Sequence, residues 1–176
     1  MEFPPSDVKL ILEKIASILR ERNFTLAVSE AACGGLLSSY IVSIPGASDF
    51  YIGGKLVYSL KQRLKLSGWN EEEIRNYMGP SEQVALKLAR TAKYELGSTF
   101  VLSETGFAGP TSDLHLGNDE TKANDGKVGT VYLGLFGPNL QVSCKKQTGS
   151  TVRSHNMVEF AKSGLVFLLE ELEKLP

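Results

Sequence analysis

Three short runs of β-forming residues in this chain each break at a glycine-bearing turn, and this repeated order limits the fold more than any other feature of the sequence. Phe24 to Val28 leads into Glu30-Ala31-Ala32-Cys33-Gly34-Gly35. Phe100-Val101-Leu102 ends at Glu104 and continues through Thr105-Gly106 to Pro110, and a third turn surrounds Gly149. The first turn is followed by a second apolar run, Leu36 to Ile44, so the order there reads strand, glycine turn, helix. In α/β sheets ligands gather at the carboxyl ends of strands, where glycine lets backbone N–H groups approach an anion and a helix N-terminus adds partial positive charge. One such turn alone is more often a plain turn. Three in one small chain set the expectation of a phosphate or nucleotide pocket.

The remaining elements are read from hydrophobic period. Val8, Ile11, Leu12, Ile15, Ile18 and Leu19 recur at helical spacing behind Ser6 as N-cap. Pro45-Gly46 ends the helix over 36–44, and Tyr51-Ile52-Gly53-Gly54 precedes a short strand from Lys55 to Ser59. Polar helical segments follow around Gly68, with a short acidic helix over Glu71 to Tyr77. Ser81 then caps a helix from Glu82 to Leu96 that closes at Gly97. Val128 to Phe136 and Leu140 to Cys144 read as a hairpin joined by Gly137-Pro138-Asn139, a connection longer than the Asn-Gly type with no fixed register. A last helix runs from Thr151 to Leu172. Residues 110–127 are polar, without period, and read as one long loop. These elements predict a single α/β domain over residues 1–176, a three-layer mixed sheet flanked by helices.

Charge and composition narrow the partners. Lys and Arg number 19 against 20 Asp and Glu, so the chain lacks a basic field for nucleic acid. No window approaches the roughly 20 apolar residues that cross a bilayer, and the N-terminal residues show no signal-like apolar region, which sets the expectation of a cytoplasmic chain, the nucleus included. Cys33 and Cys144 are far apart, and His115 and His155 are equally isolated, so neither a metal site nor a disulfide framework is indicated. Asp113, Asp119, Glu120 and Asp125 in the long loop lack EF-hand spacing and read as solvated charges. Trp69 reads as an anchor between surface and core.

A resemblance rests on five segments: Ser29-Glu30-Ala31-Ala32-Cys33-Gly34-Gly35; Pro45-Gly46-Ala47-Ser48; the run from Gly53-Gly54 through Tyr58-Ser59 to Lys61-Gln62-Arg63; Thr105-Gly106-Phe107-Ala108-Gly109-Pro110; and Val128-Gly129-Thr130-Val131-Tyr132. In order and spacing they resemble the CinA C-terminal domain, the nicotinamide-nucleotide amidase family, over roughly residues 8 to 170. The resemblance implies hydrolysis of the amide of nicotinamide mononucleotide to nicotinate mononucleotide and ammonia, without metal or cofactor, and a tendency to form homo-oligomers. The family chemistry is acyl transfer by a serine that a neutral lysine activates, with backbone N–H groups holding the oxyanion.

Carried onto this chain, the family serine falls on Ala31 and the lysine on Arg63. A methyl group cannot attack a carbonyl, and a guanidinium stays protonated and is no base. The positions that the resemblance assigns to the nucleotide pocket, Ser48, Tyr58 and Thr105, are kept. Gly34, Gly35 and Gly106 belong to the glycine turns, and Arg153 takes the place of a pocket arginine once two extra residues after Gly149 are allowed. Two readings follow. One is a divergent, non-catalytic member with a nucleotide-type pocket. The other is an active amidase with a rearranged nucleophile, Cys33 or Ser29, served by a base such as Lys61.

Overall fold

A computed structural model describes residues 1–112 and 127–176, with residue 60 described by its backbone alone. Asp113, His115, Asp119, Glu120 and Asp125, in the stretch read as a long loop, lie outside the described residues. Among the described residues five strands form one mixed sheet: β1 (Leu26–Glu30), β2 (Tyr51–Leu56), β3 (Phe100–Phe107), β4 (Thr130–Gly137) and β5 (Leu140–Gln147), in the spatial order β2-β1-β3-β4-β5. β1 runs parallel to both β2 and β3, whereas β4 and β5 are antiparallel to their neighbours. Their carboxyl ends therefore place the first and second glycine turns at one end of the sheet.

Period two along the strands sorts the two helical layers. Leu26 and Val28 of β1, with Phe100 and Leu102 of β3, enter the main core with α1 (Ser6–Glu21), α2 (Leu36–Val42) and α6 (Arg153–Glu173). Ala27 and Val101 face the other way, onto Ala89 and Ala92 of α5 (Glu82–Leu96). The short helices α3 (Leu60–Leu66) and α4 (Glu71–Arg75) join this second layer, where Leu64, Tyr77, Val84 and Leu88 cluster. The result is the expected three-layer sheet. Among the described residues no helix is long and apolar enough to cross a membrane.

Several boundaries differ from the sequence reading, each for a local reason. The Pro5 carbonyl accepts from the Lys9 N–H, so Pro5, not Ser6, is the N-cap of α1. β1 extends to Glu30 because that side chain is held inside the fold. β2 runs over Tyr51–Leu56 rather than Lys55 to Ser59, so it contains both glycines that were read as preceding it. Gly54 belongs there because a Cβ would lie 2.7 Å from a methyl of Val28 and 2.9 Å from its carbonyl oxygen. The hairpin is tighter than expected: Gly137 pairs with Leu140, leaving only Pro138-Asn139 in the loop, and Asn139 takes φ 55°. The Ser81 cap and the left-handed Gly97 stand where the sequence placed them.

Candidate functional site

At the carboxyl end of β1 the chain turns through Ala31 to Gly35, and two buried carboxylates hold this turn from inside. Glu30 continues the core-facing positions of Leu26 and Val28. Its Oε1 accepts from the Leu37 N–H at 2.8 Å, and its Oε2 accepts from the Ser38 N–H at 3.0 Å and the Ser38 hydroxyl at 2.7 Å. Glu30 thus caps the first turn of α2, its oxygens accepting from the free N–H groups of the helix start. Glu104 reaches across from β3. Its Oε1 accepts from the Ala31 N–H and, at 2.9 Å, from the Cys33 N–H. The backbone donors that a glycine turn offers to an anion are here taken, in part, by the protein's own acids.

Arg63 of α3 is buried against this end of the sheet, where its Nη2 donates to the Thr105 hydroxyl at 3.1 Å. Arg63 Nε, the Tyr77 hydroxyl and Glu104 Oε2 are buried without a hydrogen-bond partner among the described residues. Burial pushes the Tyr77 phenol up to about 12, against the pull of the neighbouring Arg63 guanidinium. Burial also raises the Glu104 carboxyl, opposed by the Cys33 and Ala31 N–H groups and then by Arg63. These groups form a floor of polar atoms withdrawn from solvent.

The rim is built differently. Tyr58, just past β2, is 64% exposed, and Arg153 stands at the start of α6. Arg153 Nη2 donates to the Tyr58 hydroxyl and Nη1 donates to the Gly109 carbonyl. Residues 95 positions apart in sequence are therefore side by side. Buried Asn156 fixes the loops around them by donating to the Ala108 and Ser150 carbonyls, at 2.9 and 3.0 Å.

Other residues singled out in the sequence take separate places. Ala31 is buried at the turn, and Thr105 is buried beneath Arg63. Gly34 and Gly35 adopt φ 62° and 97°, so the turn itself needs them. Gly106 serves the sheet: a Cβ there would collide with the Thr130 carbonyl on β4. Ser48 lies in the single helical turn Ala47–Asp49 before β2, at the opposite end of the sheet from Tyr58. The structure does not bring it to the rim within one chain. Trp69 packs edge-on to Tyr77 at 5.7 Å with Lys87 over its ring, as an anchor would.

The substitute nucleophiles meet physical obstacles. Burial pushes the Cys33 thiol well above its ordinary 9.0, and Glu104 and Glu30 push it further. Ser29 is buried within β1, where it pairs with Lys55 and Ser103. Lys61 is exposed on α3 while Arg63 turns inward. Glu104 was missed as a site residue, although period two places it on the same face as Phe100 and Leu102. A carboxylate at a core-facing strand position demands donors, and that was the available signal.

Comparison with known proteins adds the ancestry. The model of the CinA C-terminal domain matches residues 9–172. A CinA-like protein of Nostoc punctiforme is 35% identical over 144 residues, covering 82% of this chain and 32% of that protein. A CinA-like protein of Thermotoga neapolitana is 36% identical over 127 residues, covering 72% and 29%. The chain thus spans about a third of the length of these curated relatives. Among solved structures, the competence/damage-inducible protein CihA from Agrobacterium tumefaciens matches with a TM-score of 0.83 at 23% identity, over 99% of this chain and 100% of that one. A CinA superfamily protein from Enterobacter cloacae matches with a TM-score of 0.81 at 21% identity, over 94% and 92%. At these identities the structural likeness speaks for the fold.

Proposed function

The chain belongs to the CinA C-terminal domain family, and from that premise we propose that it is a member that binds a nucleotide-type ligand at its rim without hydrolysing an amide. The observation that carries this reading is the Glu104 carboxylate on the N–H groups of Ala31 and Cys33. An acyl-transfer site needs a nucleophile, a base and free donors aimed at the developing oxyanion. Here the nucleophile position is a methyl group and the base position is a permanent cation already committed to Thr105. A carboxylate fills the donors of the turn, and it would also repel a developing negative charge. All three requirements fail at one place.

Recognition stands apart from this loss. Arg153 offers an exposed guanidinium suited to a phosphate, and Tyr58 offers an exposed ring and hydroxyl beside it. No cofactor is needed for binding of this kind.

Incubating the purified chain with nicotinamide mononucleotide tests the reading, with ammonia release measured beside the melting temperature. We expect no ammonia above buffer and a rise in melting temperature, because a ligand bound only by the folded state stabilises it. Turnover that disappears in Cys33→Ala or Ser29→Ala would sink the proposal. Rebuilding the dyad separates the causes. Ala31→Ser with Arg63→Lys should remain silent while Glu104 is present, and turnover by that double variant would show that Glu104 does not block the turn.

A further inference from the structure

One guanidinium is enough for one phosphate, and the rim carries more positive charge than that. Arg153 spends one N–H on the Tyr58 hydroxyl and another on the Gly109 carbonyl, which leaves the rest of its donor fork for a ligand. A second cation stands on each side of this bridge. On the Tyr58 side, Lys61 follows within the first turn of α3 and is exposed; that turn is set by the Arg63 N–H donating to the Ser59 carbonyl at 2.8 Å. On the Gly109 side, half-buried Lys127 opens the turn into β4. Its carbonyl accepts from the Thr130 N–H at 3.0 Å, and the Gly129 N–H donates to the Phe107 carbonyl at 2.8 Å. These bonds hold the turn beside the exit of β3, where a Val128 methyl takes the place that a Cβ on Gly109 would need.

The two lysines differ from others in the chain. Lys55, Lys87, Lys162 and Lys174 each hold a carboxylate, whereas Lys61 and Lys127 have no ion-pair partner among the described residues. The first turns of α3 and α6 contain no acid, and Glu170, Glu171 and Glu173 lie at the other end of α6. Glu30 and Glu104 are buried, with oxygens engaged by the turn and by α2. The net charge of the chain is only −1, so this row of cations is local and suits a small ligand better than a polymer.

We propose that the ligand of this rim is a nucleotide with two linked phosphates, which lie along the row formed by Lys61, Arg153 and Lys127 while the base rests on the Tyr58 ring. The proposal deepens the nucleotide-binding reading given above and rests on it. A monophosphate answers Arg153 and leaves both lysines unpaired. A second phosphate takes up that charge and adds charge-assisted bonds at an exposed site. Nucleoside diphosphates and pyrophosphate-linked dinucleotides share this chemistry.

Calorimetric titration of the full chain, with divalent cations chelated so that the second phosphate meets protein alone, tests the idea. Adenosine monophosphate and adenosine diphosphate differ by one phosphate on the same base, and nicotinamide mononucleotide beside nicotinamide adenine dinucleotide tests the linked form. The second phosphate should tighten binding about tenfold in at least one pair, and the pair that shows it identifies the source. Lys61→Gln with Lys127→Gln should bring that ratio close to one, whereas Lys61→Arg with Lys127→Arg keeps the charges and should preserve it; circular dichroism checks that both variants fold. Equal affinity within both pairs, or a gain that survives the glutamine variant, would overturn the proposal and leave the nucleotide-binding reading standing. Binding of none of the four ligands would remove that reading, and this proposal with it.

Discussion

The floor and the rim of the candidate site are neighbours with opposite characters. On the floor, the turn amides end on Glu104, the Thr105 hydroxyl ends on Arg63, and each of these groups is buried. On the rim, Tyr58 and Arg153 hold each other but remain exposed, with ring, hydroxyl and guanidinium open to a partner. Under the proposed function, this difference puts recognition at the rim and separates it from the buried floor. The floor groups are spent on holding the turn, while the rim keeps polar groups at the surface.

The largest effect should come from removing the acid that seals the floor. Glu104→Ala leaves two buried N–H groups without an acceptor, each worth about 1–3 kcal/mol, and this loss is partly offset by release of a desolvated carboxyl. Urea unfolding should show a loss of about 2–4 kcal/mol, and melting should fall on the order of 5–15 °C. Glu104→Gln keeps a carbonyl acceptor and should lose less than half as much. A Glu104→Ala chain as stable as the parent would mean that the floor is held by something else.

A smaller effect appears in pH. Because burial raises the Glu104 carboxyl above its ordinary 4.5, the folded chain retains a proton there that the unfolded chain has already released. Its contribution is therefore fully present below 4.5 and is lost as pH climbs through the raised folded value. Glu104→Gln has no proton to lose. Urea midpoints of the two proteins should therefore diverge as pH rises above 4.5, in favour of Gln, by about 1.4 kcal/mol for each unit by which the carboxyl is raised. A constant difference across that range would place the Glu104 charge in a better solvated setting than its burial indicates.

What could be read from the sequence follows the same division. α5 was legible from end to end because its signals are local: Ser81 accepts from the Val84 N–H, and Gly97 takes the left-handed conformation that stops the helix. Ala31 and Arg63 stood out in the sequence because each differs in side-chain chemistry from the residue that the family resemblance puts at its position. The strand read over Lys55 to Ser59 was placed too late, because Gly53-Gly54 gives no strand signal of its own, whereas Gly54 is required by the closeness of Val28, a contact across strands. Glu104 was passed over for a related reason. Its donors lie 73 and 71 positions earlier in the chain, so only the pairing of β1 with β3 brings the acid to the turn.

The smallest stability effect belongs to the rim. Arg153→Ala removes exposed bonds to Tyr58 and to the Gly109 carbonyl, and surface contacts of this kind contribute about 0–1 kcal/mol. Melting without ligand should hardly move. The rise in melting temperature with nicotinamide mononucleotide should disappear, since the exposed guanidinium is the group suited to a phosphate. Tyr58→Phe should keep most of that rise, because it removes the hydroxyl but leaves the ring and Arg153 in place. If both variants respond to the nucleotide like the parent, recognition does not reside at the rim. If Arg153→Ala instead destabilises the unliganded chain as much as Glu104→Ala does, rim and floor are one structural unit, and the separation of recognition from chemistry fails with it.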